Sequence, residues 1–290
     1  MTMRRSLILT TAALLLAGGC RERPADASGT RPRVVTFSPA LTDLVWQMGL
    51  SDHVVAVTNY CALPAAQSRP AVGDRMHVNV EAILSARPDV VLIQQDAKPF
   101  EALRRVNPSI RIEKFEIETL KDILSAIDRI GQVLGKADVA SRFKKGFLAR
   151  LDAVRSRVRG LPRPRVLFTM GYGSPVVARD DNFIGDLIEL AGGKNAGADI
   201  KGLQRWQKAD IESVLVAAPE VLICQADPGR EAKARQFWTA VRDLPAARDQ
   251  RVFVVTDRRW TIASAHVAEL AEKLSDMIHP PGPGRRAGHD

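Results

Sequence analysis

A helix–strand unit occurs twice in this chain. Residues 78–94 (VNVEAILSARPDVVLIQ) align without a gap on residues 209–225 (ADIESVLVAAPEVLICQ). Each copy begins with an Asn or Asp suited to capping a helix, followed by a glutamate in the first turn of a short helical segment. A Pro-acid pair comes next, and then an apolar run typical of a buried strand. Because proline disrupts a helix interior, each helix is expected to end before its Pro-acid pair. The repeat predicts two similar α/β halves.

Strands and helices alternate through both halves, which favours parallel sheets covered by helices on both faces. Residues 120–159 break the alternation, because they have no strand pattern and carry apolar residues at helical spacing. The segment from Lys136 to about Arg159 predicts one helix roughly 35 Å long. The predicted strands are Val34–Phe37, Val54–Val57, Val90–Ile93, Ile110–Phe115, Arg165–Thr169, Val221–Cys224 and Val252–Val255.

The predicted fold class is therefore α/β, with two lobes of parallel sheet joined by a single long α-helix and a ligand cleft between the lobes. The predicted boundaries are an N-terminal lobe over 33–135, a linking helix over 136–160 and a C-terminal lobe over 161–278. Open α/β sheets bind ligands beyond the carboxyl ends of their strands, so the cleft residues are expected in the loops that follow those ends.

The first twenty residues, MTMRRSLILTTAALLLAGGC, predict an export signal. Arg4 and Arg5 precede an apolar run too short to span a bilayer, and small residues lead to Cys20. This order resembles a bacterial lipoprotein signal, in which the cysteine is lipidated and becomes the mature N-terminus. An ordinary cleaved signal with an incidental cysteine is the alternative. Residues 21–32 predict a flexible tether, and residues 279–290 a disordered tail.

The net charge and the sequence motifs disfavour several classes of function. The net charge of +9 is spread without a long basic block, which disfavours a partnership with nucleic acid. The chain has no nucleophile elbow and no phosphate-binding glycine loop, and its five histidines lack metal-ligand spacing. We therefore expect no enzymatic activity, no catalytic residues, no metal site and no cofactor. Cys61 and Cys224 are expected to be unpaired and in different lobes, with Cys224 buried.

Four segments resemble bacterial periplasmic binding proteins for cobalamin, ferric siderophores and haem. Val34–Leu44 (VVTFSPALTDL) is similar to the family's RIVSLSPSLTELL, and Val55–Pro64 (VAVTNYCALP) to its VGVTxYCDYP. Residues 72–92 resemble VGG…NLEAILALKPDLVL, and Gly185–Asn195 (GDLIELAGGKN) resembles GDLLELAGGxN. The resemblance covers nearly the whole body of the chain. It implies the helical-backbone metal receptor fold, with two Rossmann-like lobes joined by one long helix.

The resemblance also implies a role and partners. It implies an extracytoplasmic monomer, held at the membrane by a lipidated Cys20, that delivers a small metal-bearing ligand to an ABC permease dimer with its ATPase subunits. In the family one glutamate on each lobe meets arginines of the permease, and Glu81 and Glu212 match those positions. A first-turn glutamate also stabilises its own helix through the macrodipole, so a purely local role is the alternative.

The expected ligand is a corrinoid, with a ferric siderophore or haem as alternatives. Flat aromatic side chains suit the face of a macrocycle. Arg75, Arg258 and Arg259 instead suit siderophore carboxylates or haem propionates. The residues expected to bind the ligand are Phe37, Ser38, Tyr60, Arg75, Met76, His77, Tyr172, Trp206, Arg258 and Trp260.

Three further interpretations stay open at this point. Tyr60 together with His77 or His266 would ligate haem iron. A chelatase-like enzyme uses similar paired α/β lobes, although an export signal disfavours it. A ligand-sensing lipoprotein would bind the same ligand and dock on a receptor instead of an importer.

Overall fold

The computed structural model describes residues 31–63, 65–202 and 204–280. The predicted export signal with Cys20, most of the predicted tether and residues 281–290 lie outside the described residues. The strands are β1 Val34–Phe37, β2 Val54–Val57, β3 Val90–Ile93, β4 Arg111–Lys114, β5 Arg165–Met170, β6 Val176–Ala178, β7 Lys194–Asn195, β8 Trp206–Lys208, β9 Val221–Gln225 and β10 Val252–Val255. The α-helices are α1 Pro39–Gln47, α2 Val80–Ser85, α3 Glu101–Val106, α4 Leu120–Val133, α5 Ala137–Arg157, α6 Phe183–Leu190, α7 Ile211–Ala217, α8 Glu231–Ala240, α9 Pro245–Arg248 and α10 Val267–Ile278.

The first sheet is parallel throughout, in the order β2-β1-β3-β4. The central strands β1 (VVTF) and β3 (VVLI) are buried at every position, as expected of strands covered by helices on both faces. The edge strand β4 (RIEK) is partly exposed. Because all four strands run the same way, their carboxyl ends meet at one edge of the sheet.

The second sheet is mixed, in the order β10-β9-β5-β6-β8, with β7 beside β5. Strands β10, β9 and β5 are parallel, as predicted, whereas β6 runs antiparallel to both β5 and β8. The chain reverses between β5 and β6 at Gly171 and Gly173, whose φ angles are +75° and +79°. So short a turn permits only an antiparallel return, because a parallel strand needs a long crossover. The short strands β6, β7 and β8 are missing from the sequence prediction.

The repeated helix–strand unit has the same local geometry in both halves. The side chains of Asn79 and Asp210 each accept a hydrogen bond from the backbone N–H three residues further on, at 3.0 Å and 2.7 Å. Each unit then turns towards its strand through a residue with positive φ, Arg87 at 48° and Ala218 at 42°. The prediction of two similar halves is confirmed in the backbone.

The same two units are also tied to the neighbouring strand in the same way. The backbone N–H of Arg33 donates to Asp89 at 2.7 Å, and that of Arg165 donates to Glu220 at 2.8 Å. The two arginine side chains donate to carbonyl oxygens where α2 and α7 end, at 2.8–2.9 Å. Such bonds satisfy carbonyl groups that a helix end leaves free.

The predicted linking helix is α5, which has 21 residues. It packs against α4 on one side and α10 on the other. Arg150 donates twice to Glu272 of α10, both at 3.0 Å. One buried apolar cluster includes Val34 of the first half, Phe147 of α5 and Leu270 of α10. The two halves are therefore joined by a continuous core on this side of the molecule.

Two local expectations can be compared with this fold. Cys61 and Cys224 are both free and lie in different halves, and Cys224 is fully buried in β9. The predicted tail, however, begins too early. His279 is partly buried, and its Nε2 lies 3.4 Å from the Gly192 carbonyl oxygen.

Candidate ligand-binding cleft

A cavity of about 650 Å³ lies at the carboxyl edge of the first sheet. Ser38 follows β1, Thr58 follows β2, Gln94 follows β3 and Lys114 ends β4. Open α/β sheets bind ligands at this edge, and the volume is within the range of small-molecule sites. The residues that line it are Phe37, Ser38, Pro39, Thr58, Tyr60, Arg75, Gln94, Gln95, Lys114, Glu116, Ile117, Glu118, Asp122 and Arg205.

Two smaller cavities continue this space along the junction between the halves. A second cavity, of about 520 Å³, lies where α1 and residues 60–63 face residues 257–266. A third, of about 270 Å³, includes Trp206. Pro39 lines all three cavities, and Tyr60 lines the first two. We refer to the three together as the cleft.

Ser38 fixes the rim of the cleft where β1 passes directly into α1. Its Oγ accepts from the backbone N–H of Ala40 at 3.2 Å, and Pro39 occupies the first turn of the helix. The same hydroxyl donates to the side-chain oxygen of Gln94, which follows β3. Ser38 is only 5% exposed, so this bond ties two strand ends together beneath the cavity.

Arg75 is presented by a turn that depends on Gly73. This glycine has φ +108°, and a Cβ there would lie 2.1 Å from the carbonyl oxygen of His77. Oδ1 of Asp74 accepts from the backbone N–H groups of Met76 at 2.9 Å and His77 at 3.1 Å. These two bonds lower the pKa of Asp74. The carboxylate therefore holds the turn, while the Arg75 side chain is left exposed at the cavity.

Tyr60 is the most accessible aromatic side chain of the cleft, at 66% exposed. Its turn is held by a bond from Cys61 N to Thr58 O at 3.2 Å and by one from Asn59 N to Gly73 O at 2.9 Å. Within the described part of the chain its hydroxyl has no hydrogen-bond partner. Tyr60 thus offers both a flat face and a free hydroxyl to a ligand.

Arg205 reaches the first cavity from the second half of the molecule. Its carbonyl oxygen accepts from the buried side chain of Asn182 at 3.0 Å and from the backbone N–H of Arg179 at 2.9 Å. Asn182 also caps α6. The backbone of Arg205 is therefore fixed, while its side chain is exposed.

Asp122 lies in the same cavity but is already engaged. Its Oδ2 accepts from the backbone N–H and hydroxyl of Thr119 at 2.9 Å and 2.8 Å, and from Glu118 N at 3.2 Å. Burial raises the pKa of Asp122, but these hydrogen bonds and the charge of Arg205 outweigh it, so the pKa lies below its ordinary value.

A charged network crosses between the halves beside the second cavity. His266 Nε2 lies 2.7 Å from Oδ1 of Asp43 in α1, and His266 Nδ1 lies 3.3 Å from Nη1 of Arg259. Because a guanidinium only donates, Nδ1 accepts and Nε2 carries the hydrogen given to Asp43. Arg259 also pairs with Asp257 at 2.6 Å and Glu269 at 2.8 Å. Its hydrogen bond to Asp257 is the main cause of its raised pKa.

Six of the ten predicted ligand residues line the cleft. They are Phe37, Ser38, Tyr60 and Arg75 in the first cavity, Arg258 in the second and Trp206 in the third.

The other four predicted residues lie elsewhere. Met76 is 82% exposed, and the side chain of His77 is 90% exposed, and neither lines the three cavities. Tyr172 packs against the core of the second half. The placement of Trp260 in the cleft is wrong, because it is 2% exposed and stacks on Phe168 with ring centroids 6.0 Å apart. Trp260, which follows β10, therefore packs into the core and does not face the cleft.

Two side chains named as alternative ligand contacts, His266 and Arg259, are bound by other residues of the protein. Both ring nitrogens of His266 have partners, which removes it as a free iron ligand. Arg259 is neutralised by two carboxylates, so of the predicted arginines Arg75 and Arg258 alone line the cleft without an acceptor in the described residues.

The sequence prediction misses several polar residues of the first cavity. They include Gln94, Gln95 and Lys114, which lie at the carboxyl ends of β3 and β4. Ser38 was predicted because ligands bind beyond the carboxyl ends of strands, and the same reasoning applies to these three residues. Arg205 could not be predicted in this way, because it precedes β8, a strand of three residues that is missing from the sequence prediction.

The two matched glutamates occupy equivalent places. Glu81 is the second residue of α2, and Glu212 is the second residue of α7. Both side chains are exposed, and each helix has its own capping residue before the glutamate. The capping bonds are therefore made without either glutamate, which leaves both carboxylates available.

The described residues contain no group of three or more His, Cys, Asp or Glu arranged to hold a metal ion. They also contain no helix of the length and apolarity needed to cross a bilayer.

Known proteins share both sequence and fold with this chain. A cobalamin-binding protein of Halobacterium salinarum is 29% identical over 257 residues, which cover 85% of this chain and 69% of that protein. A vitamin B12-binding protein of Yersinia pseudotuberculosis is 25% identical over 272 residues, 93% of each chain. The periplasmic haem-binding protein RhuT of Roseiflexus sp. RS-1 has a similar structure, with a TM-score of 0.72 and 23% identity over 86% of this chain and 98% of that one. Residues 34–258 match the family described as periplasmic binding protein, and the chain belongs to that family.

Proposed function

We propose that this chain is the extracytoplasmic substrate-binding component of an ABC importer and that it carries a corrinoid. The observation that carries the proposal is the likeness to a vitamin B12-binding protein over 93% of both chains. The cleft between the two halves supplies a place for the ligand.

The chemistry of the cleft supports a corrinoid. A corrin ring has a flat face and a periphery of amide groups. Tyr60 and Trp206 offer aromatic surface in the cleft, and Ser38, Gln94 and Gln95 place hydroxyl and amide groups around the first cavity. Small-molecule sites commonly combine a few such polar groups with apolar surface.

Haem or a ferric siderophore is the second candidate. The free hydroxyl of Tyr60 is a suitable iron ligand, and Arg75 is a suitable partner for a carboxylate. This candidate uses the same cleft and the same importer class.

Absorption spectroscopy distinguishes the candidates. The protein is purified from cells supplied with cyanocobalamin, haemin or a ferric siderophore, and its spectrum is recorded. The proposal predicts that corrin bands co-purify with the protein in stoichiometric amount. A haem or ferric-chelate spectrum in place of corrin bands would support the second candidate. Absence of every chromophore would contradict both.

Delivery is assigned to Glu81 and Glu212. Two exposed carboxylates at matched positions can each meet one subunit of a two-fold permease. Charge pairs of this kind influence docking and association rate more than intrinsic affinity. The proposed partners are therefore a permease dimer with its ATPase subunits, and the binding protein acts as a monomer.

Membrane attachment is assigned to Cys20 on the sequence alone. The wild-type protein is expected to fractionate with membranes, and Cys20→Ala to be released or left unprocessed. Identical processing and fractionation of the two proteins would overturn the lipid anchor and leave an ordinary export signal.

A further inference from the structure

We infer that Arg75 and Arg205 clamp an anionic group on the ligand, a carboxylate or a phosphate, from opposite sides of the first cavity. The inference rests on the proposed function, because it concerns the ligand of the same cleft. Arg75 belongs to the first half, in the turn at Gly73, and Arg205 belongs to the second half, immediately before β8.

Neither guanidinium is held by a carboxylate of the protein, although the charge of Arg205 contributes to the lowered pKa of Asp122. In the described residues neither side chain has a hydrogen-bond or ion-pair partner, although both are held on fixed backbone. The acid next to Arg75 is unavailable, because Asp74 is committed to the backbone N–H groups of Met76 and His77.

The acids around the cavity are also largely committed. Asp122 accepts three hydrogen bonds from its own helix start, and Glu116 pairs with Lys114 at 3.2 Å. Of the acids lining the described cavity, Glu118 alone has a carboxylate without such a partner. The ionisable side chains that line the cavity balance in formal charge, with three cations and three carboxylates. Among them Arg75, Arg205 and Glu118 alone have no hydrogen-bond or ion-pair partner in the described residues, so two guanidinium groups keep their donors free for a ligand.

Arg259 shows the contrasting arrangement in the same cleft. It is held by Asp257 at 2.6 Å and Glu269 at 2.8 Å, which suits a structural arginine that joins elements of the protein. Arg75 and Arg205 lack such acceptors and have the planar, five-donor geometry that recognises carboxylate and phosphate. An anion bound by both would also link the two halves across the cavity.

Two sources would supply this anionic group. One is the phosphodiester in the nucleotide loop of a complete cobalamin. The other is a set of carboxylates, such as the propionates of haem or the carboxylates of ferric citrate. Dicyanocobinamide has the corrin ring without the phosphodiester, so it separates recognition of the ring from recognition of the anion.

Equilibrium titrations with four probes test the clamp. Cyanocobalamin, dicyanocobinamide, haemin and ferric citrate are titrated into the wild-type protein and into Arg75→Gln, Arg205→Gln, Arg75→Lys and Arg205→Lys. The control is Arg104→Gln, which removes an exposed arginine from α3. Thermal unfolding of each variant checks that the fold is retained.

The clamp predicts that each Gln variant binds the preferred anionic probe about ten- to a hundredfold more weakly, as for loss of a charge-assisted hydrogen bond. The Lys variants should retain more affinity, the control should equal the wild type, and added salt should weaken the wild type more than the Gln variants. If cyanocobalamin is the preferred probe, dicyanocobinamide should bind more weakly to the wild type and equally to wild type and Gln variants.

Three results distinguish failure of the clamp from failure of the proposed function. Unchanged affinity of both Gln variants for a macrocycle that the wild type binds would overturn the clamp and leave the proposed function intact. Binding of ferric citrate alone, with loss in the Gln variants, would support the clamp and overturn the corrinoid and haem assignments. A wild type that binds none of the four probes would overturn both.

Discussion

The two halves agree where the repeated helix meets its strand and differ where they face the cleft. Glu81 and Glu212 occupy the same register of matched helices, and both are exposed. At the cleft, each half exposes an arginine without a partner in the described residues, Arg75 in the first half and Arg205 in the second. The aromatic side chains differ, because Tyr60 of the first half is exposed whereas Trp260 of the second is buried against Phe168. The repeat thus builds matched helix–strand units that carry the two glutamates proposed to dock on the permease, while the exposed aromatic side chain proposed to meet the ligand belongs to the first half.

Reversing the charge of both matched glutamates should abolish delivery of the ligand. In vesicles that carry the cognate importer, the Glu81→Arg, Glu212→Arg double variant is expected to abolish ligand uptake with ligand affinity unchanged, because like charges would meet at the permease. Each single variant should reduce uptake to a similar extent.

The matched control for this pair is Glu101→Arg, which reverses an exposed first-turn glutamate on α3 outside the repeat. It should transport normally. Normal uptake by the double variant would leave the two glutamates only their helix-dipole role, which contributes a few tenths of a kcal/mol.

The unequal cleft predicts opposite effects for two aromatic truncations. Trp260→Ala removes a buried side chain and should lower the free energy of unfolding by about 3–5 kcal/mol. Tyr60→Ala should hardly change stability but weaken ligand binding by about 1–3 kcal/mol, as for an aromatic anchor. Chemical denaturation and ligand titration measure the two quantities. Met76→Ala, exposed outside the cleft lining, should change neither. Strong destabilisation by Tyr60→Ala with unchanged affinity would show that the cleft is misplaced.

A smaller loss is expected from the bond that crosses between the halves. His266→Ala leaves Oδ1 of Asp43 without its donor, and Oδ2 of the same carboxylate is already buried without a hydrogen-bond partner in the described residues. Loss of the partner should cost about 1–3 kcal/mol in the free energy of unfolding. His77→Ala, at an exposed position, is the control. Equal stability of the two variants would mean that the crossing bond contributes nothing.

The smallest effect concerns Asp186, which joins the halves on the α5 side. Its Oδ2 accepts from Leu120 N at 2.7 Å, while burial raises its pKa. A raised carboxyl pKa means that the native state holds this proton more tightly than the unfolded state. The ionised form therefore costs stability at neutral pH, and the cost disappears as the pH falls through the raised pKa.

Asp186→Asn keeps an acceptor for Leu120 and removes the charge. It should raise the melting temperature at pH 7 by no more than about 2–4 °C, the shift that corresponds to about 1 kcal/mol in a domain of this size. The difference from wild type should shrink as the pH is lowered. A variant less stable at pH 7 would show that the ionised carboxylate is favourable at this position.

The sequence predicted the fold where local patterns repeat. Apolar runs predict β1, β3 and β9, and apolar residues at helical spacing predict α5. The duplicated helix–strand unit predicts the two similar halves. Strands of two or three residues such as β8 are too short to show an alternation of apolar and polar residues. Because β8 was not predicted, Arg205, which precedes it, was not predicted as a cleft residue either. Trp260 and Tyr60 both lie near strand ends, but their burial depends on residues distant in sequence, such as Phe168, which no local pattern identifies.

Isothermal titration of the purified mature protein with cyanocobalamin measures binding of a corrinoid to the cleft. We expect saturable binding of one molecule per chain, weakened in Tyr60→Ala and retained in Trp260→Ala under conditions where that variant is folded. The absence of saturable binding to the wild-type protein, or binding that depends on Trp260 and not on Tyr60, would contradict this expectation.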